Sequence, residues 1–197
     1  VAIVGATGSG KTTIINLLLR FYDVQQGRIS IGGVDLRSMR RHDLRRRIGA
    51  VMQEPFIFSA SVADNIGLLD PALSREAIEE AARYANADGF IRRLPRGYDT
   101  ELNERGGGLS AGQKQLLALA RAMAQNREAL LILDEATANV DSETEALIQD
   151  AIRRVMKNRT GIIIAHRLST IRHAHRILVL YQGQLVAQGA HDELLRQ

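Results

Sequence analysis

Residues 5–12 read GATGSGKT, flanked by the apolar run VAIV at positions 1–4 and by a helical stretch that begins IINLLL at position 14. The octapeptide matches G-x-x-x-x-G-K-[ST], and a glycine-rich turn leading from a strand into a helix is the context that defines a phosphate-binding P-loop. Glycines let backbone N–H groups close around phosphate oxygens, Lys11 reaches the β and γ phosphates, and the Thr12 hydroxyl is a ligand for Mg2+. Gly5, Ala6, Thr7, Gly8, Ser9, Gly10, Lys11, Thr12 and Thr13 are therefore the expected nucleotide-binding residues.

Outward from this loop, short β-branched runs alternate with helical stretches, the pattern of an α/β fold with a mainly parallel sheet. Strands are expected at 1–4, 28–31, 48–52, 130–133, 161–165, 177–180 and 184–187. The last two flank YQG, a hairpin signal. Residues 61–126 differ: SREAIEEAARYANADGFIRRL is helical in pattern and the segment contains no convincing strand. The expected organisation is a P-loop NTPase core formed by 1–60 and 127–197, with a helical subdomain inserted at 61–126. There is no internal repeat and no low-complexity linker.

A chain of 197 residues can bury roughly 70% of the surface it exposes when unfolded, enough for a core without disulfides. The absence of cysteine excludes metal–thiolate sites and agrees with a reducing, cytosol-facing location. Against 22 acidic residues stand 26 basic ones, a bias too mild to imply a polyanionic partner. Six arginines crowd into LRSMRRHDLRRR at 36–47. No aromatic residue is interleaved with them, so a solvated helix and its approach is preferred to a base-stacking surface, and no nucleic-acid partner is expected. No apolar run approaches the roughly 20 residues of a membrane span, and the opening VAIVG has neither Met nor the features of a signal peptide. It reads as part of something longer.

Four further stretches bear on chemistry. ALLILDEAT delivers Asp134 and Glu135 from an apolar strand to the carboxyl edge of the sheet, where α/β ligands bind. Beside a P-loop, Asp134 is suited to hold Mg2+ through water and Glu135 to polarise an attacking water. GIIIAH places His166 after another apolar strand, either as a hydrogen-bond partner for a γ-phosphate or as a surface histidine. Gln53 ends IGAVMQ and means little alone. In SAGQKQLLALARAMAQ, Leu116, Leu119, Ala120 and Met123 fall on one helical face. Ser110 then sits where an N-cap belongs, and the helix start is either simply capped or also offered to an anion.

Together these stretches resemble the ATP-binding cassette family over nearly the whole chain. In order, GATGSGKT is similar to its Walker A motif, VMQEPFIFSASVADNI to its Q-loop region, LSAGQ to its signature, LLILDE to Walker B, ANVD to its D-loop and IAHR to its H-loop. The resemblance implies ATP and Mg2+ as ligands, with Thr12, Gln53 and Asp134 at the metal and Glu135, His166 and Gln53 as catalytic residues. It also implies that Ser110, Gly112 and Gln113 grip the γ-phosphate of ATP bound to an opposing subunit, with Asp141 crossing the same interface. The partner is then a second nucleotide-binding domain, identical or different.

Within the family, TELNERG at 100–106 and EPFIFSASVADNI at 54–66 resemble exporter segments that touch membrane domains, as in multidrug or lipid half-transporters. The implied location is the cytoplasmic face of a membrane. Soluble repair and chromosome relatives carry a long insertion between Walker A and the signature, whereas 97 residues separate Thr12 from Ser110 here. Two departures stand out: the upstream strands with their adenine-stacking aromatic do not precede the P-loop strand, and Ala111 occupies a signature position usually held by glycine. The latter raises a heteromeric partner as an expectation, and is harmless to the backbone only if the φ of Ala111 is negative.

Overall fold

The computed structural model describes residues 1–125, 130–134, 140–157, 159–164 and 171–196. Glu135 and His166 lie outside the described residues. The chain divides into two compact units: Val1–Gly49, Ala129–Glu135 and Thr160–Gln197 form the first, Ala50–Glu128 and Ala136–Arg159 the second.

Strands β1 (Ala2–Gly5), β4 (Ile48–Val51), β7 (Leu130–Asp134), β8 (Gly161–Ile164), β9 (Ile177–Tyr181) and β10 (Gln184–Gly189) form one sheet in the order β10-β9-β1-β8-β7-β4, all of it in the first unit except Ala50 and Val51 of β4. Strands β9, β1, β8 and β7 pair in parallel. Their sequences are continuous apolar runs because helices cover parallel sheets on both faces. Ala2, Ile3, Leu131, Ile132, Leu133 and Ile164 are accordingly all but removed from solvent. Helix α1 (Lys11–Leu18) leaves the P-loop and buries Ile15.

The hairpin expected at YQG is formed, with β10 antiparallel to β9 and Tyr181 opposite Gln184. Gln182 and Gly183 both have positive φ, 47° and 78°, which is the type I′ turn that a two-residue hairpin of right-handed twist requires. The strand expected at 28–31 narrows to β2 (Ser30–Ile31), and it pairs with β3 (Val34–Asp35) across Gly32–Gly33, a strand the pattern missed.

The arginine cluster lies on and to either side of helix α2 (Arg41–Arg46), whose one buried residue is Leu44. Arg37 forks onto Asp35 at 2.8 and 3.2 Å; together with the Arg37 backbone N–H it holds that carboxyl at about 2. Arg45 stacks 5.0 Å from the Phe21 ring centroid.

The second unit is mainly helical: α3 (Val62–Gly67), α4 (Arg75–Tyr84), α5 (Asp88–Ile91), α6 (Ala111–Gln125) and α7 (Ser142–Met156). One expectation needs correction, since β6 (Glu101–Leu102) lies inside the segment 61–126 read as strandless and pairs antiparallel with β5 (Ala60–Ser61) at its start. Two residues per strand are too few to show alternation. The single apolar face expected on α6 is also too narrow. Helices α3, α4 and α7 all pack on α6, so Leu117, Ala118, Ala122 and Ala124 are buried along with Leu116, Leu119, Ala120 and Met123. Full burial of each leucine stabilises the fold by about 1.5–3 kcal/mol. Among the described residues no helix is long and apolar enough to cross a membrane.

Candidate functional site

Between β1 and α1 the chain turns through Ala6–Gly10. A Cβ on Gly5 would collide with the Leu180 carbonyl of β9 and lie 2.6 Å from Ser9 Oγ, so only glycine fits where the loop leaves the sheet. The YQG turn supports the loop from outside, Gly183 N–H donating to the Ser9 carbonyl at 3.1 Å. Lys11 is buried at the helix start, and its ammonium donates to the Gly5 and Ala6 carbonyls at 2.8 and 2.9 Å. An ammonium has three donors, which leaves one for an anion.

Ser9 is 3% exposed, and its hydroxyl is the buried side-chain polar atom without a hydrogen-bond partner among the described residues. Such an orphan is costly unless something else completes it. A hydroxyl, an ammonium and the N–H groups at the start of α1 form a donor set that fits phosphate oxygens.

The strand register places Asp134 at the same edge. Ile3 and Asp134 both pair with Ile164, from opposite sides of β8. Asp134 therefore lies level with Ile3 and roughly 10 Å from it, two strand spacings away, while the P-loop begins two residues beyond Ile3. Asp134 is 6% exposed. Its carboxylate and the Thr12 hydroxyl are hard oxygen donors, the type Mg2+ prefers.

In the second unit, Gln53 is exposed in a bend after β4. Ser110 and Gln113 form a reciprocal capping box: Gln113 N–H donates to Ser110 Oγ at 3.2 Å and Ser110 N–H to Gln113 Oε1 at 2.9 Å. Ala111 opens α6 with ordinary helical backbone and is not among the residues of positive φ, so its methyl group brings no backbone strain.

Asp141 caps α7 through the Thr144 N–H at 2.9 Å, and hydrogen bonds from Thr144 hold its carboxyl below the usual range. Gly112 is packed against that same cap. A Cβ there would run into Thr144 Cγ2 and lie 3.0 Å from Val140 Cγ1. Gly112→Ala should therefore push α6 and α7 apart and lower stability by about 1–3 kcal/mol, read as a fall in thermal midpoint. An unchanged midpoint would remove this close approach.

Sequence reasoning missed two residues that order the neighbourhood of α6, Asn65 and Arg121. Asn65 is fully buried within SVADNI, and Arg121 interrupts the apolar run LALARAMA. A polar residue inside each apolar pattern was the available signal.

A family model described as ABC transporter matches residues 1–138. The chain belongs to the ABC transporter family. It is 52% identical, over 99% of its length, to a fatty acid ABC transporter ATP-binding/permease protein of Mycobacterium tuberculosis, of which it covers 31%. To an ATP-dependent lipid A-core flippase of Legionella pneumophila it is 51% identical over 99% of the chain and 33% of the relative. A solved bacterial Atm1-family ABC exporter with ATP bound superposes with a TM-score of 0.90 at 46% identity, covering 99% of this chain and 34% of that one. The ABC chain described here thus spans about a third of the length of the curated relatives it matches, and its mixed α/β fold with a mostly parallel sheet is shared with the matched third of that exporter.

Proposed function

We propose that this chain is the ATP-hydrolysing domain of an exporter, located at the cytoplasmic face of a membrane. It closes head to tail with a second nucleotide-binding domain over two Mg-ATP, and attached membrane domains convert the cycle of closure and hydrolysis into export. The names of the relatives, ATP-binding/permease protein and flippase, support a membrane-domain partner. The observation that carries the reading is the P-loop, with its buried Lys11 and orphan Ser9 hydroxyl, and the Ser110-capped start of the 15-residue α6 in the same chain supports it.

Lys11, Ser9 and the P-loop amides bind and orient the β and γ phosphates, while Thr12, Asp134 and Gln53 would hold Mg2+. The metal, when bound, neutralises charge on those phosphates. Glu135 takes a proton from the attacking water as general base, and His166 and Gln53 act as γ-phosphate sensors. Because Ser110 Oγ accepts the Gln113 N–H, its own O–H proton is left to donate to a phosphate of the partner's nucleotide. Asp141, held ionised at the start of α7, crosses the same interface.

Pairing one Ser110→Ala chain with an unaltered partner tests this. Photolabelling with an ATP analogue should drop about tenfold or more on the partner's P-loop, the loss of a hydrogen bond to a charged group, and stay level on the altered chain's own. Equal labelling of both chains would overturn the half-site.

A further inference from the structure

Helix α6 has a second feature far from Ser110. Arg121 lies 11 residues along it, about 16 Å at helical rise. Its guanidinium reaches off the helix and donates to the Asn65 carbonyl at 2.7 Å, to Asn65 Oδ1 at 3.2 Å and to the Phe56 carbonyl at 2.9 Å. It also stacks 5.4 Å from the Phe58 ring centroid.

Asn65 in turn templates the irregular segment before α3. Its Oδ1 accepts the Phe58 N–H at 2.9 Å, and its amide donates to the carbonyls of Phe58, Ala60 and Ser61 at 3.0, 3.3 and 3.1 Å. One buried side chain thus satisfies four backbone groups, and one guanidinium fastens that arrangement to α6. At its outer end are Phe56 and Phe58, 53% and 45% exposed, packed edge to face at 5.0 Å.

The acceptors of Arg121 named here are neutral oxygens, and burial pulls its pKa below the usual guanidinium range. Placing a cation on neutral acceptors is a poor way to gain stability and a good way to fix one geometry. Helix α6, packed on three sides, is stiff enough to serve as the other half of that geometry.

We infer that Arg121 is a positioning residue that makes α6 and the Phe56–Phe58 pair move as one body, so that displacement at Ser110 reaches an exposed aromatic surface. The inference rests on the reading above, in which Ser110 meets a partner's phosphate, and it adds the residue through which that event reaches the segment assigned to the membrane domain. Arg121→Lys keeps the charge and loses the planar fork that serves two carbonyls and one amide oxygen at once.

The test is backbone hydrogen exchange on the full-length transporter, with and without Mg and a non-hydrolysable ATP analogue, read separately at 110–113 and 56–65. In the unaltered protein, nucleotide should protect 110–113 and change exchange at 56–65. In Arg121→Lys the first effect should persist, the second vanish, and substrate moved per ATP hydrolysed fall about tenfold, the loss of one charge-assisted hydrogen bond. Protection at 110–113 with no change at 56–65 in the unaltered protein overturns the relay alone, and needs no variant that folds. No protection at 110–113 overturns the half-site reading, and the relay with it. A parallel fall of hydrolysis and transport in Arg121→Lys, with exchange at 56–65 still responsive to nucleotide, makes Arg121 merely structural and overturns the relay.

Discussion

Lys11→Ala is expected to weaken ATP binding by roughly 30-fold to several thousand-fold, the 2–5 kcal/mol that follows when one member of a buried, hydrogen-bonded charge pair is removed. ATP hydrolysis should fall to background. Two effects add. The proposed ammonium contact to the β and γ phosphates is lost, and the Gly5 and Ala6 carbonyls lose the donors that shape the loop, at 2.8 and 2.9 Å. Lys11→Met separates them from packing, since it keeps an apolar stem of similar length and removes only the donor. Titration calorimetry with Mg-ATP on the full-length transporter should find both variants similarly impaired. Binding within about twofold of the unaltered protein, well under the 1.4 kcal/mol of a tenfold change, would remove the P-loop assignment.

Why the P-loop is so legible, and other parts of the candidate site are not, follows from distance along the chain. The P-loop concentrates strand, turn, ammonium and hydroxyl in neighbouring residues, so the local pattern contains the chemistry. Gly112 is different. Its reason is Thr144 on another helix, and a sequence motif reports the glycine without reporting what presses on it. The same holds for Gly183 supporting Ser9 and for Asn65 receiving Arg121 across 56 positions. The β2–β3 hairpin failed for a different cause: Gly32–Gly33 is a turn signal, but strands of two residues are too short to show alternation. On α6, the pattern found one apolar face correctly and understated burial because three helices surround it.

Glu135→Gln is expected to lower ATP turnover by about a hundredfold to ten-thousandfold, the usual contribution of a positioned general base, while leaving ATP affinity nearly unchanged. The amide matches the carboxylate in shape and cannot accept a proton from water. The assignment rests on the resemblance of LLILDE to Walker B, and Asp134, the residue before Glu135, ends its strand level with Ile3 at the edge where the P-loop begins. Blocking hydrolysis without blocking binding should also stop the step that reopens the paired domains. Sedimentation of this variant should then show a dimer with Mg-ATP and a monomer without it. Normal turnover would make another group the base. A monomer that binds ATP tightly would instead mean that a different subunit completes the site. Because the backbone at Ala111 is helical and unstrained, Ala111→Gly is then the change that distinguishes the two causes. Recovery of the dimer would blame the methyl group, and continued failure would assign the second half-site to another chain.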